Sequence, residues 1–499
     1  MPRVNIREID NTGVATGTNI ENIAFLPALK LEGYTQDGEL ISLDGTYTSL
    51  AQFEAKVTEI FNTINATWES GDEEKKEAKQ YLDGIKNYFI QDKGYAMAHM
   101  LLSYGLPVEY KGFYTLDTKS VVTTVSETSS TYKNIKMVFP KAESGNTDPL
   151  IQMYKEYSDR AVYDEKFVLP IYVDIDTDKD SEEAKTALSS MEYALKCAAT
   201  RGDAYAFTYI PNYIKNSTAA DDWVREKFGD IATKYVARPG YSWSVSESTE
   251  KVGSYGAIFS ANIIIPKYKI STPFALAGEK SGDLKVVEYT FKDAIFPGYL
   301  NYLLCYARHT VNTPDWFAIS GAIRGVTPLP EIKLLAKYGD ADIDIFQPRE
   351  GGINNVTKNH IAINAICNIR PYGNIIWGNR TMHPLNVPEN GSSDVVQLVA
   401  SDFLNIRSLC CDLKKTIYRA ARRFTFDPNT DVLWINFKSM ITPLLERMKS
   451  NQGIRDYRFI KQPTTKKALL AARIVITPIE AVEDFDITVV LEDSIEVLQ

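Results

Sequence analysis

The stretch that decides the fold reads Pro371-Tyr-Gly-Asn-Ile-Ile-Trp-Gly-Asn-Arg-Thr-Met382. It contains no plausible nucleophile and no metal cluster, yet its composition is highly specified. We expect its glycines to permit a turn or a close approach of the backbone, because glycine lacks a Cβ atom. We expect the tryptophan to fill core and the arginine to bond carboxylates or carbonyls. The residues that define this signature are Gly373, Trp377, Gly378, Arg380 and Thr381.

The pattern around this stretch alternates between strands and helices. Upstream, Phe167 to Ile175 is predicted to be a buried strand, Ser181 to Thr200 a helix and Ala204 to Ile210 a further strand, which together indicate an α/β unit. A chain of 499 residues is too long for one hydrophobic core. The segment from Lys337 to Asn354 is charged and contains glycine, which is typical of a boundary. The sequence therefore predicts a multi-domain mixed α/β protein whose last domain begins at residue 351.

A basic amphipathic helix is predicted from Asn405 to Phe424. Its apolar residues recur at steps of three and four, and six basic side chains are opposed by only Asp412. The basic residues are Arg407, Lys414, Lys415, Arg419, Arg422 and Arg423. Two interpretations fit the periodicity equally well. One is a solvated cationic face favoured by the helix dipole, and the other is a basic ridge that binds an acidic partner.

Both ends of the chain have the alternating pattern of a single strand. Val4 and Ile6 alternate with polar residues near the N-terminus, and Ile487, Val489 and Leu491 do so near the C-terminus. No partner strand is evident beside either one. Each strand either pairs within its own subunit or completes the sheet of a neighbour, which would bring directional backbone hydrogen bonds.

Composition and charge exclude several functional classes. The net charge of −9 and pI near 5.3 argue against a general nucleic-acid binder, which needs a basic surface. The five cysteines form no Cys-x-x-Cys pair and are expected to be buried free thiols. The sequence contains no run of about 18 apolar residues, so we expect no membrane insertion.

Motif searches predict no catalytic, cofactor or metal site. The alternating carboxylates from Asp174 to Asp180 lack the glycine and the final glutamate of a calcium loop, so an acidic turn before a helix is the favoured interpretation. The four histidines are scattered, and Val326 stands where a phosphate-binding loop needs lysine. An α/β enzyme of the cytoplasm, with an active site assembled from dispersed residues, remains the alternative function.

In the C-terminal third, short motifs follow one another in a fixed order. They are Gly352-Ile353-Asn354, the signature stretch, Asn405-Ile-Arg-Ser-Leu409, Phe424-Thr-Phe-Asp-Pro-Asn429, Leu433-Trp434 and Asn451-Gln-Gly453. In this order and content the chain resembles contractile tail sheath proteins of myovirus-type phages and related contractile injection systems. The first ten residues resemble the leading arm of that family, with Arg3 in place of the more usual glycine.

The resemblance implies a layered subunit with strand-like arms. Residues 1–20 correspond to an N-terminal arm, and residues 483–499 correspond to a C-terminal arm. Between them, residues 21–350 correspond to outer sheath domains, with a variable portion at about 105–290. Residues 351–482 correspond to an inner domain that faces a tail tube. In the family, helices pack on a small sheet of the inner domain, and arms of adjacent subunits complete that sheet. Val4, Ile6, Ile487, Val489 and Leu491 would then lie in neighbouring subunits.

The resemblance also implies partners and a location. The expected partners are further copies of the chain in stacked hexameric rings, the tail tube, the baseplate and the tail terminator, with no direct contact to nucleic acid. The basic helix would face the tube. We expect a non-enzymatic structural protein of the virion tail sheath that assembles in the host cytoplasm. The same residues are compatible with a phage, a tailocin or a secretion-type machine.

Overall fold

The structure is a computed structural model. It describes residues 22–35, 38–65, 89, 92–116, 137–141, 147–176, 180–236, 250–272, 287–329, 331–349, 360–385, 396–464 and 469–482. All statements on architecture below refer to these residues. The predicted terminal strands, with Val4, Ile6, Ile487, Val489 and Leu491, lie outside them.

Helices occur along the whole described chain. They are α1 (Leu50–Asn65), α2 (Lys93–Ser103), α3 (Pro149–Glu156), α4 (Glu182–Arg201), α5 (Ser217–Ala232), α6 (Gly298–Thr310), α7 (Gly321–Arg324), α8 (Asp340–Phe346), α9 (Leu404–Arg423) and α10 (Asp431–Ser450).

Strands alternate with these helices. They are β1 (Ala24–Leu29), β2 (Glu32–Tyr34), β3 (Leu40–Ser42), β4 (Gly45–Tyr47), β5 (Val108–Leu116), β6 (Met137–Val138), β7 (Phe167–Val168), β8 (Tyr205–Tyr209), β9 (Gly256–Ser260), β10 (Ile263–Thr272), β11 (Val287–Phe296), β12 (Lys333–Leu334), β13 (Asn364–Ile369), β14 (Gly373–Trp377), β15 (Ile454–Gln462) and β16 (Ala471–Pro478). The mixed α/β class predicted from the sequence is confirmed.

A nine-stranded sheet organises most of the chain. Its order is β14-β13-β9-β8-β7-β1-β5-β4, with β6 paired to β5. Six neighbouring strands of this sheet pair in parallel, in the order β5, β1, β7, β8, β9 and β13. At the two ends of the sheet, β4 pairs antiparallel with β5 and β14 antiparallel with β13. Parallel strands need covering on both faces, and β1, β8 and β9 are accordingly buried at every position. The order reverses between β1 and β7, which is the pattern of a doubly wound fold.

Local sequence explains how the helices begin and end. The Ser181 side chain accepts a hydrogen bond from the Ala184 amide at the start of α4, and Gly202 ends this helix with a φ of 75°. Asp92 caps α2 and Asp148 caps α3 in the same manner. A short polar side chain satisfies amides that the first turn leaves without partners, and glycine enters the left-handed region at low cost.

The described chain divides into two compact units, one extending to Thr425 and the other starting at Phe426. The predicted boundary between residues 350 and 351 falls inside the first unit. There β13 pairs in parallel with β9, so residues on both sides of the expected boundary share one sheet. The segment Lys337 to Asn354 has the composition of a linker, but it contains α8, whose Phe346 is fully buried. The inner domain assigned to residues 351–482 thus coincides with neither compact unit, and its limits stay a prediction.

The second unit is small. It consists of α10 and the antiparallel hairpin β15–β16, whose register pairs Phe459 with Ile474. The ring of Phe459 lies 5.0 Å from that of Trp434 and 5.9 Å from that of Phe437. One face of the hairpin therefore packs against the helix. The completion of this two-stranded sheet by neighbouring arms stays a prediction.

Candidate interaction surfaces

The signature stretch surrounds one buried amide side chain. The Arg380 amide donates to Asn364 Oδ1 over 2.7 Å, and Asn364 Nδ2 donates to the Arg380 carbonyl over 2.8 Å. Gly378 lies so close to this side chain that a Cβ atom would stand 2.8 Å from Asn364 Oδ1 and 2.1 Å from Gln347 Nε2. The expectation of a close backbone approach at Gly378 is confirmed.

The end of the stretch connects β14 to the start of α9. The guanidinium of Arg380 is buried and lies 4.9 Å from the centre of the Phe403 ring. The Thr381 hydroxyl donates to the Ser401 carbonyl over 2.7 Å. The Nδ1 atom of His383 is 2.6 Å from Asp402 Oδ1. These contacts support a fold-holding role, because each one fixes the chain that leads into the helix.

Of the two remaining signature residues, Gly373 has the expected role and Trp377 does not. Gly373 has a φ of 86° and occupies the turn between β13 and β14, as the sequence predicted. Trp377 does not fill core, since its side chain is 39% exposed. It is the last residue of an edge strand, in which Ile375 and Ile376 supply the buried side chains instead.

The predicted basic helix exists as α9, but its charges fall into two groups. Arg407 is buried, and its guanidinium lies 4.2 Å from the centre of the Tyr255 ring. Lys415 is also buried and donates to the Asp164 carbonyl. The Lys414 ammonium is 2.5 Å from Glu250 Oε1. From Arg407 to Lys415, these side chains are bound to the rest of their own unit.

The C-terminal end of α9 presents the exposed group of charges. Arg419, Arg422 and Arg423 are exposed, although Arg419 is 2.5 Å from Asp164 Oδ2 and Arg422 donates to the Ala161 carbonyl over 3.1 Å. Arg422 and Arg423 occupy the last turn, where cations are favoured by the helix dipole. The predicted contact with a tail tube therefore depends on these three arginines.

A buried charge cluster around Lys166 was not predicted from the sequence. The side chain of Lys166 is 0% exposed. Its ammonium is 2.8 Å from Asp412 Oδ1, 3.4 Å from Asp315 Oδ2 and 3.0 Å from the Tyr306 hydroxyl. Burial acts to lower the pKa of Lys166, but the two carboxylates outweigh it and raise this pKa well above its ordinary value. The cluster binds α9 to the large sheet, since Lys166 directly precedes β7.

A second buried cluster surrounds Arg201 at the end of α4. Its guanidinium is 2.6 Å from Glu165 Oε2 and 3.0 Å from Asp203 Oδ1, and it also donates to the Glu165 carbonyl over 2.7 Å. Glu165 and Lys166 are adjacent in sequence, so both clusters meet at the start of β7. Neither was detectable from periodicity, because their members are far apart in the chain and carry no motif.

The acidic turn that follows β7 is part of a local bonding network. Asp174 pairs with Lys93 and accepts from the Tyr172 hydroxyl over 2.9 Å, while Asn212 Nδ2 is 3.0 Å from Asp176 Oδ1. No group of three or more potential metal ligands occurs within the ranges described above. These contacts give Asp174 and Asp176 structural partners. None of the helices in those ranges has the length and apolar character of a membrane span.

The chain resembles known proteins in its fold and not in its sequence. No family profile and no curated protein matches the sequence. Among solved structures, a chain of the anti-feeding prophage baseplate matches with a TM-score of 0.52 and 10% identity over 99% of both chains. A chain of an extracellular contractile injection system, the PVC sheath complex in the contracted state, gives 0.48 and 10% identity over 99% of this chain and 98% of that one. The sheath tail protein of Desulfitobacterium hafniense gives 0.38 and 8% identity over 96% and 100%.

The match to the anti-feeding prophage baseplate spans both compact units. The chain therefore has the fold of a subunit of that assembly. This match in fold confirms the resemblance to proteins of contractile injection systems that was inferred from short ordered motifs. At this identity the likeness concerns the fold alone.

Proposed function

We propose that this chain is the structural subunit of a contractile tail sheath. In this proposal it polymerises as stacked hexameric rings around a tail tube and contracts to drive the tube through a target envelope. The observation that carries the proposal is the full-length match in fold to a baseplate chain of the anti-feeding prophage. Within the described residues, the hairpin β15–β16 forms a sheet of two strands, which further strands would complete.

The terminal segments supply the strands that such a polymer needs. A two-stranded sheet covered on one face is a minimal unit, and added strands would bring backbone hydrogen bonds along the whole edge. Val4 and Ile6 at one end, and Ile487, Val489 and Leu491 at the other, would become buried in neighbouring copies. Such a contact is heterologous, so it propagates as a helical array instead of closing.

Contraction needs no nucleotide in this proposal. The extended sheath would be metastable because its subunits bury less surface than those of the contracted array. An additional few hundred Å² of apolar burial per subunit would release roughly 5 kcal/mol at about 25 cal/mol per Å². The arms would stay paired and act as hinges while the compact units move as nearly rigid bodies.

Further partners follow from the same proposal. The exposed arginines at the end of α9 would contact an acidic tail tube through weak surface ion pairs, which break on contraction. The baseplate and the tail terminator would contact the first and last rings. The protein would act in the tail of a virion or a related particle, assembled in the host cytoplasm, and would have no enzymatic role.

The proposal is tested with the full chain and a variant that lacks residues 483–499. Electron microscopy and sedimentation of the full chain should give rings or tubes with axial striations, whereas the truncated chain should stay a folded monomer. Circular dichroism controls for folding. Normal tubes from the truncated chain, or a full chain that remains a discrete particle at all concentrations, would count against the proposal.

A further inference from the structure

The hairpin β10–β11 packs on α2 with one of its two faces. On that face, the Tyr268 hydroxyl lies 2.7 Å from His99 Nδ1 on α2. Because side chains alternate along a strand, Lys267 and Lys269 occupy the opposite, outer face. Both lysines are exposed. The outer face of this hairpin therefore presents cations to the surroundings.

A further lysine lies directly across the hairpin from the first. Lys267 of β10 pairs in the register with Lys292 of β11, which is also exposed, so both ammonium groups share the outer face. Within the ranges that the structure describes, neither of these two lysines takes part in an ion pair. Like charges placed directly opposite each other destabilise a sheet. An anionic group bound beside them would offset this repulsion, so the pair favours an acidic partner.

An acidic surface of the same compact unit is formed where α8 packs against the start of α5. The Ser217 hydroxyl on α5 donates to Asp342 Oδ1 on α8. Arg225 pairs with two carboxylates at once, and Arg349 pairs with one. The aspartates of this α5–α8 acidic surface are Asp221, Asp222, Asp340, Asp342 and Asp344. Negative charge is therefore in excess there.

The lysines and the aspartates lie on opposite sides of the nine-stranded sheet. The connection from β1 to β5 contains α2, and the connection from β8 to β9 contains α5. These connections run in opposite directions along the sheet, because the strand order is β9-β8-β7-β1-β5. Crossovers between parallel strands are right-handed, so the two helices cover opposite faces. The sheet therefore separates the two charged surfaces within one copy.

We propose that Lys267 and Lys292 bind the α5–α8 acidic surface of a second copy of this chain. The inference rests on the proposed function and names a contact that does not involve the terminal segments. Because the two surfaces differ, the contact is heterologous, and each copy can bind one neighbour through its lysines and another through its aspartates. Complementary charge fixes the register of such a contact. Exposed ion pairs are individually weak, so the contact can open and form again when the array contracts.

Charge reversal in the full chain tests this contact, with sedimentation as the measure of assembly. K267E combined with K292E should raise the concentration needed for assembly by roughly tenfold at low salt, and high salt should reduce the difference because exposed charges are screened. K155E combined with K185E changes the net charge equally at two exposed positions and should assemble as the parent chain does. Normal assembly of the first variant at low salt, or an equal defect in this control, would overturn the inference.

A compensating reversal tests the pairing of the two surfaces. D222K combined with D340K should weaken assembly to a similar extent as the lysine reversals, while Arg225 keeps Asp221 as its partner. All four changes in one chain restore opposite charges across the contact and should restore assembly at low salt. If the two defects add instead, the two surfaces do not meet and the inference is wrong.

Chemical crosslinking locates the contact between copies. Unlabelled full chains are mixed with chains labelled with heavy nitrogen before assembly. A carbodiimide then joins an ammonium group to a carboxylate in contact with it, as an amide. Mass spectrometry should find Lys267 or Lys292 joined to Asp222 or Asp340, with labelled and unlabelled peptides in the same product. Crosslinks confined to single copies, or absent from the α5–α8 acidic surface, would overturn the inference.

A single reversal separates binding from folding of the hairpin. Lys292→Glu turns the like-charged pair with Lys267 into a pair of opposite charges. Its Tm should equal or exceed that of the parent chain, while its assembly at low salt should be weaker. A lower Tm together with weaker assembly would assign this lysine to folding, and the inference would be wrong.

The failure of the inference and that of the proposed function are distinguishable. If loss of residues 483–499 prevents assembly while K267E with K292E assembles as the parent chain does, the sheath proposal stands and this contact is wrong. If the full chain remains a discrete particle at all concentrations, both are wrong. If the truncated chain assembles normally but the lysine reversals prevent assembly, the contact stands and the proposed role of the C-terminal segment is wrong.

Discussion

The side chain of Asn364 and the backbone of Arg380 are bonded in both directions, by hydrogen bonds of 2.7 and 2.8 Å. Asn364 Nδ2 also donates to the Ile258 carbonyl over 3.1 Å, so one fully buried amide joins β9, β13 and the chain that follows β14. This junction fixes the path of the signature stretch towards α9.

Removal of this amide should be strongly destabilising. Asn364→Leu would leave the Arg380 amide and two buried carbonyls without their partner, and each unsatisfied group costs about 1–3 kcal/mol. We expect the free energy of unfolding to fall by about 3 kcal/mol or more in total. Denaturant titration measures it, with Asn368→Ala at an exposed position of the same strand as the control. Similar losses for both variants would contradict the role of the junction.

Gly378 is predicted to tolerate no side chain. A Cβ atom would lie 2.1 Å from Gln347 Nε2 and 2.8 Å from Asn364 Oδ1, so Gly378→Ala must displace both side chains. We expect a loss of about 1–3 kcal/mol, the usual cost of overpacking. Gly229→Ala is the control, because this position inside α5 has open space around it and alanine favours helix. Opposite signs of the two changes in Tm are the expected result.

Asp92 should make the stability of the first unit depend on pH. Burial raises the pKa of this carboxyl to about 6, even though bonds from the Tyr95 amide and the Tyr114 hydroxyl favour the charged form. The folded state therefore binds the proton more tightly than the unfolded state. The contribution of Asp92 to stability becomes more favourable as pH falls through about 6 towards the unfolded pKa.

The variant Asp92→Asn isolates this effect. Asparagine keeps an acceptor for the cap of α2 but carries no charge at any pH. Its free energy of unfolding, relative to the parent chain, should rise between pH 5 and 8 by an amount on the order of 2 kcal/mol. Denaturant titrations at several pH values measure the difference. A difference that does not change with pH would show that the carboxyl titrates normally.

Replacement of Lys166 alone is predicted to lower the free energy of unfolding strongly. Lys166→Met would leave Asp412 and Asp315 without their shared cation, and breaking a buried ion pair costs about 3–5 kcal/mol. Adding Asp412→Asn should recover part of this loss, because it removes one of the unpaired charges. Lys196→Met, which breaks a half-exposed pair with Glu192, should cost less than about 1 kcal/mol. If the effects of Lys166→Met and Asp412→Asn on the free energy of unfolding simply add, the two side chains are not coupled and the prediction is wrong.

The sequence predicted elements whose signal is local. The helix predicted from Ser181 to Thr200, which is α4, and the predicted amphipathic helix, which is α9, both depend on nearby residues. The order of short motifs also predicted the fold. These features are accessible from one sequence because their physical causes act within one or two turns of chain.

Other features depend on contacts between distant segments and could not be predicted in this way. The burial of Arg407 depends on Tyr255, and that of Lys415 on the chain near Asp164, so helical periodicity placed both on a basic face. Trp377 is the last residue of β14 and is partly exposed, which composition does not reveal. The compact unit extends past residue 350 because β13 pairs with β9, more than 100 residues earlier in the chain.

The three exposed arginines at the end of α9 are predicted to contribute to the binding of a tail tube. Reversal of Arg419, Arg422 and Arg423 to glutamate should lower the affinity for a purified tail tube by roughly tenfold or more at low salt, with a smaller effect at high salt. Folding should be preserved, since the exposed pair between Arg419 and Asp164 contributes less than about 1 kcal/mol. Lys185→Glu, an exposed reversal on α4, is the control. Sedimentation of the chain with the tube measures binding. If the triple variant co-sediments as the parent chain does, these arginines form a solvated cationic face, which is the other interpretation of the basic helix.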